Sequence, residues 1–186
     1  ARVARRPEVA KIVANPEIRQ LLPEQDSAQG VEAPTGVEWN VAQINADDVW
    51  VLGYRGQSVV VAGQDTGYEW NHPALIRQYR GWNGSSVSHD YYWHDAIHSG
   101  GGVCGADSAA PCDDYGHGTH TMGTIVGDDG GLHQIGVAPG ARWIGCRNMD
   151  RGVGTPATYI ECFEFFLAPY PIGGNPLTDG KPNLAP

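Results

Sequence analysis

The chain has 186 residues, 41% of them apolar, which suits one well-buried domain or a piece of a larger one. Its 26 Gly and 13 Pro carry no G-X-Y period, so they mean many turns rather than collagen or disorder. Net charge is −9 but uneven, with five Lys/Arg against two Asp/Glu in residues 1–19 and seven against nineteen after them; so acidic a body argues against nucleic acid as a partner.

The chain opens on ARVARRPEVA, without initiator Met or apolar leader, so any targeting segment is expected to lie outside it. No run approaches the length of about 18 apolar residues that spans a membrane. Residues 7–22 place Val9, Ile12 and Val13, then Ile18, Leu21 and Leu22, around an Asn15-Pro16 cap signal, which predicts two short helices. PEQDSAQGVEAPTG reads as a linker, and the domain boundary is expected there: residues 1–34 as a tail and linker, residues 35–186 as the folded part.

NADDVWVLG reads as a helix with Asn45 as N-cap, Asp47 and Asp48 in its first turn and Gly53 past its end. SVVVAGQ is a short β-branched run, the pattern of a strand covered on both faces, with Asp65 at its carboxyl end, where open α/β sheets place their chemistry. Residues 81–114 lack periodicity and read as a long surface excursion. Residues 117–126 can be helical with His117 near the start, and ARWIGCRNM reads as a second buried strand. In TPATYIECFEFFLA, Thr155 is the N-cap, Pro156 is N1, and Tyr159, Ile160, Phe163, Phe166 and Leu167 form the stripe expected to be buried. YPIGGNPLTDGKPNLAP reads as loop. Strand, helix, strand, helix implies an α/β fold with a parallel sheet.

Four Cys without a C-x-x-C pair do not make a zinc site by spacing; they are either two disulfides in an oxidising compartment or four core thiols. If bridged, Cys104 pairs with Cys112 inside the excursion, and Cys146 on a strand with Cys162 on the next helix.

Asp65-Thr66-Gly67 alone is a common turn. Joined to a histidine that opens a helix 52 residues later, it becomes a carboxylate able to fix one imidazole nitrogen and leave the other as a base. VVVAGQDTGYEWNHPAL, GHGTHTMGTIVG and IGVAPGARWIGCRNM resemble the Asp region, the His region and the following strand of the subtilisin-like serine proteases (subtilases, peptidase S8). With EWNVAQINADDVWVLGYRG ahead of them, the likeness is closest to the bacillopeptidase F-like branch and runs from Gly36 to Pro186.

The resemblance implies a secreted serine endopeptidase made as a zymogen, with protein or peptide substrates, its own propeptide as partner and no cofactor needed for catalysis. It implies a three-layer α/β fold, a parallel sheet flanked by helices, of which this chain holds the amino-terminal half. Carried over, Asp65 orients the imidazole and His117 is general base and then general acid. Gly116 and Gly118 keep His117 reachable, and His120 has no catalytic role. RGVGT resembles the edge on which family members pair substrate backbone, which assigns Gly152, Val153 and Gly154 to substrate binding.

Two departures matter. Where the family often has a calcium-ligating Asp after His-Pro, this chain has Ala74; Asp113-Asp114 and Asp128-Asp129 are the other acidic pairs, and both also read as solvated turns. Ser27, Ser58, Ser85, Ser86, Ser88, Ser99 and Ser108 all precede His117, whereas the family's nucleophile follows its histidine in Gly-Thr-Ser. The chain therefore reads as a propeptide tail plus half a catalytic domain, with the nucleophile and the oxyanion-hole Asn beyond residue 186, and is expected to be inert alone. The other readings are a non-catalytic binding module and a metal hydrolase. The metal reading rests on His94/His98 at i, i+4 and His117/His120 at i, i+3, without the Glu of His-Glu-x-x-His.

Overall fold

The computed structural model describes residues 6–21 and 35–186. In chain order its elements are strands β1 (Ile18–Arg19) and β2 (Gly36–Val37), helices α1 (Trp39–Gln43) and α2 (Ala46–Val51), strands β3 (Val60–Asp65) and β4 (Trp93–Asp95), and helix α3 (His117–Val126). Strands β5 (His133–Gln134), β6 (Arg142–Arg147), β7 (Met149–Asp150) and β8 (Val153–Gly154) follow, then helices α4 (Pro156–Leu167) and α5 (Pro176–Asp179).

The central sheet has the order β3-β6-β4 and is parallel throughout. Its register puts Arg147, the last residue of β6, opposite both Asp65 and Asp95. Side chains alternate across the strands: Trp143 joins Tyr68, Tyr79, Trp93, Met122 and Val126 on the α3 side. Ile144 and Cys146 join Cys162, Phe165 and Tyr170 on the α4 side. Two buried faces explain the continuous apolar runs and give the expected three-layer α/β arrangement.

Helix α4 starts as its sequence specifies. Thr158 N donates to Thr155 Oγ1 and Thr155 N to Thr158 Oγ1, a reciprocal capping box, with Pro156 in the first turn. Its buried face differs from the expected stripe. Cys162 and Phe165 are fully buried, whereas Ile160, Phe163 and Leu167 are more than half exposed. The Cys146–Cys162 disulfide sets the helix rotation by tying position 162 to the sheet, which apolar periodicity cannot register.

Other expectations are corrected. Residues 9–17 form no helix, and Ile18–Arg19 is a strand antiparallel to β8. Ile12 and Val13 are exposed, so an amphipathic face there has nothing to pack on, and short helices without packing are marginal in water. Leu22 and most of the expected linker lie outside the described residues. The excursion 81–114 is not all surface: β4 returns through it into the core, and Trp93 is fully buried. Three residues are too few for periodicity to reveal. The final stretch is not all loop, since Asn175 caps α5 by accepting from Leu177 N and Pro182–Leu184 forms a 3-10 turn. Both disulfides are present, Cys104–Cys112 and Cys146–Cys162.

Candidate active site

Asp65 ends β3 and His117 opens α3, so the parallel sheet and the helix that packs on it bring a strand terminus against a helix terminus. His117 Nδ1 and Asp65 Oδ1 are 2.7 Å apart. An ionised carboxylate only accepts, so Nδ1 carries the proton and donates, which leaves Nε2 as a free base. The carboxylate is held from two further directions. Thr66 N donates to Oδ1 at 2.7 Å and Thr121 Oγ1 to Oδ2 at 3.2 Å. The Asp65 and His117 side chains are 11% and 19% exposed, so the pair sits at the rim of the interior.

The two glycines beside His117 each have local structural work. Gly116 is the N-cap of α3 at φ +83°, a left-handed conformation that a side chain disfavours. Gly118 permits close approach: a Cβ there would lie 2.0 Å from the Gly67 carbonyl oxygen. Gly118 thus sets the distance from helix to strand end.

Asp113 supplies the helix cap that Gly116 lacks. Its carboxylate accepts from Gly116 N, Tyr115 N and Thr66 Oγ1 through Oδ1, and from Thr119 N and Oγ1 through Oδ2. Thr66 Oγ1 in turn accepts from Gly118 N. Thr66, Asp113 and Thr121 thus support the pair, and sequence reading missed all three in this role. The Asp113–Thr119 spacing was the available signal. Asp128 and Asp129 accept from Gly130 N and Gly131 N, as turn residues do. Ala74 is buried and contributes its carbonyl to Asp128 N. His120 is exposed one turn along α3.

The Gly152–Gly154 stretch forms part of the turn and the second strand of the β7–β8 hairpin, the middle strand of a sheet ordered β1-β8-β7. The chain's own β1 lies antiparallel along it, Ile18 opposite Gly154 and Arg19 opposite Val153, with Gln20 N donating to Gly152 O at 2.9 Å. Asn15 Oδ1 accepts from Ala157 N in the first turn of α4. Beside this strand runs a groove lined by Arg19, His98, Asp150, Val153, Thr158 and Glu161.

His94 and His98 converge on Glu161, which lines the groove together with His98. Both Nε2 atoms lie against Glu161 of α4, at 2.7 and 2.9 Å, while His98 Nδ1 contacts Asp107 at 2.6 Å. Hydrogen bonds to Asp107 and Glu161 raise the His98 pKa above its usual value. Burial works to raise the Glu161 carboxyl, but the hydrogen bonds from His94 and His98 overcome it and hold the group below its usual range. Among the described residues no group of three His, Cys, Asp or Glu is arranged to hold a metal.

Behind the hairpin, the side chain of Arg147 is fully buried. Its Nη1 lies 3.3 Å from Asp95 Oδ2 and donates to Gly105 O, and its Nη2 donates to Gly101 O and lies 3.2 Å from Asp114 Oδ2. Burial pushes the Asp114 carboxyl up to about 6, against the opposing pull of the Arg151 N–H and Arg147.

The profile of the subtilase family matches residues 56–165. The chain is similar to bacillopeptidase F of Bacillus subtilis (strain 168), at 43% identity over 195 residues that cover all of this chain and 13% of that protein. It is similar to the minor extracellular protease Vpr of the same organism, at 38% identity over 59% of this chain and 12% of that protein. It is also similar to that organism's major intracellular serine protease, at 34% identity over 59% of this chain and 28% of that protein. The chain therefore spans about an eighth of the length of the first two relatives.

Proposed function

The chain belongs to the subtilase family, and from that premise we propose that it supplies the orienting carboxylate and the base of a serine endopeptidase. The observation that carries this reading is the 2.7 Å contact between Asp65 and the inner nitrogen of His117. His117 Nε2 takes the proton of a seryl hydroxyl as that oxygen attacks the peptide carbonyl, then returns it to the departing amine. Asp65 holds the tautomer and stabilises the imidazolium. The nucleophile and the oxyanion donors lie beyond residue 186 in this reading, so residues 1–186 alone are inert.

The main chain of Gly152, Val153 and Gly154 is the edge that receives substrate as an added strand. Residues 1–34 are the tail of a propeptide, and supporting this is β1, whose antiparallel pairing occupies that edge as a peptide would. Two disulfides suit an oxidising, extracellular setting. Catalysis needs no cofactor, and structural calcium has no dedicated ligand at Ala74.

The test is to treat the full-length protein containing this chain with a fluorophosphonate probe and map the labelled residue by mass spectrometry. The expected label is on a serine carboxyl-terminal to Pro186, with none on isolated residues 1–186. Label on any of this chain's seven serines overturns the reading, and so does hydrolysis that resists the probe and stops with a chelator.

A further inference from the structure

The β7–β8 hairpin turns in two residues, Arg151 at φ +46° and Gly152 at φ +80°, since Asp150 pairs with Val153. Two successive left-handed residues match the type I′ turn, which strongly favours Asn, Asp or Gly at its first central position. Arginine there is strained, because its Cβ crowds the backbone in that region. Something outside the hairpin must hold the turn.

Asp114 is placed to do so. Its Oδ1 accepts from Arg151 N at 3.0 Å, across 37 residues of sequence, and its side chain is fully buried, as is that of Arg147 against which it packs. Arg147 locks the surroundings of that contact. It binds Asp95 at the end of β4, the carbonyl of Gly101 just ahead of the disulfide-closed loop and that of Gly105 inside it, while Gly101 N donates to Asp150 Oδ2 on the hairpin itself. The other carboxylates near Asp114 are Asp113, which caps α3, and Asp150.

We propose that Asp114, clamped by the buried Arg147, is a positioning residue for substrate: it holds the Arg151–Gly152 turn left-handed so that the main chain of β8 faces an incoming strand. This rests on the reading of Gly152–Gly154 as the substrate edge. Asp114 sits three residues before His117, so the same loop that delivers the base also fixes the binding edge. The contact acts on binding of extended peptides and not on the chemical step.

The experiment uses the mature full-length protein with two substrates, a peptide long enough to lie along the edge and a single-residue ester that does not reach it, together with binding of a synthetic peptide of residues 15–21. Asp114→Ala is expected to raise KM for the long peptide and Kd for the synthetic one by about tenfold, with kcat and ester hydrolysis within about threefold of wild type. Adding Arg151→Asn, which favours the type I′ turn by itself, restores both constants to within about threefold. Equal losses on both substrates, or no rescue by Arg151→Asn, overturn the proposal. Should Asp114→Ala fail to fold, Asp114→Asn carries the test: a KM rise of about threefold, removed by Arg151→Asn, supports it, and an unchanged KM overturns it. Wild type that binds the peptide but hydrolyses nothing refutes the peptidase reading, while the tenfold change in Kd still upholds the role of Asp114.

Discussion

Gly118 lies so close to Gly67 that a Cβ on it would stand 2.0 Å from the Gly67 carbonyl oxygen and 2.9 Å from Asp65 Cβ. The obstacle is backbone, which cannot swing aside as a side-chain tip can. Gly118→Ala therefore has to push α3 away from the end of β3 and stretch the Asp65–His117 contact. A misplacement of about 1 Å in such a pair costs on the order of a hundredfold in rate. Steady-state kinetics of the full-length variant should show a kcat loss of at least that order, alongside destabilisation of about 1–3 kcal/mol by chemical unfolding.

The disulfides carry a second prediction. Cys146–Cys162 joins β6 to α4 across 16 residues and Cys104–Cys112 closes a loop across 8. Chain-entropy reasoning gives roughly 3 kcal/mol for the first and roughly 2.5 kcal/mol for the second. Replacing each pair by Ala should lower unfolding free energy by about those amounts. Mass spectrometry of non-reduced peptides should recover 104 with 112 and 146 with 162, and free thiols at these positions would defeat both assignments.

The histidine pair on Glu161 makes stability depend on pH in a definite direction. His98 gains its partners on folding, so its pKa is raised, and its contribution is fully present below its unfolded value near 6.5 and is lost as pH rises through the higher folded value. Glu161 works oppositely, because its depressed pKa gives stability above its unfolded value that disappears as pH falls through the folded one. The groups facing His98 are Asp107 and Glu161, with His94 sharing Glu161. His98→Gln should thus be clearly less stable than wild type at pH 6 and nearly equal to it at pH 9. Thermal unfolding at the two values checks this, and a gap that widens with pH would be the wrong sign.

How much could be read from sequence depended on whether the determining force was local. β3, β6, α3 and the capped start of α4 were legible because β-branched runs, Thr155-Pro156 and the His117 motif are local signals. Asp65 and His117, 52 residues apart, were legible as a pair from a carboxylate at a strand end and a histidine at a helix start, and the resemblance supplied their separate roles. The rotation of α4 is set by a covalent bond to another element and β4 is only three residues long, and neither leaves a periodic trace. β1 reads as helix because its composition is helical, yet its backbone bonds go to β8, a partner more than 130 residues away. Arg147 and Asp114 escaped because a buried ion pair looks, in sequence, like two surface charges.

Occupation of the β8 edge by β1 sets the expected start of the active protein. Substrate cannot pair with Gly152–Gly154 while Ile18–Gln20 holds it, so the mature amino terminus should lie beyond Leu21. Amino-terminal sequencing of active protein decides this, and full activity with a start upstream of Ile18 would refute the assignment of residues 1–34 as a removable tail.

Hydrolysis of a defined peptide by full-length Asp65→Asn, beside His117→Ala and wild type, tests the central claim most directly. Asn at position 65 preserves shape but offers an N–H toward Nδ1, which favours the wrong imidazole tautomer. The expected result is KM near that of wild type with kcat down by about four orders of magnitude, and His117→Ala at least as impaired. Near wild-type kcat in either variant would contradict the assignment of Asp65 and His117 as the orienting acid and the base.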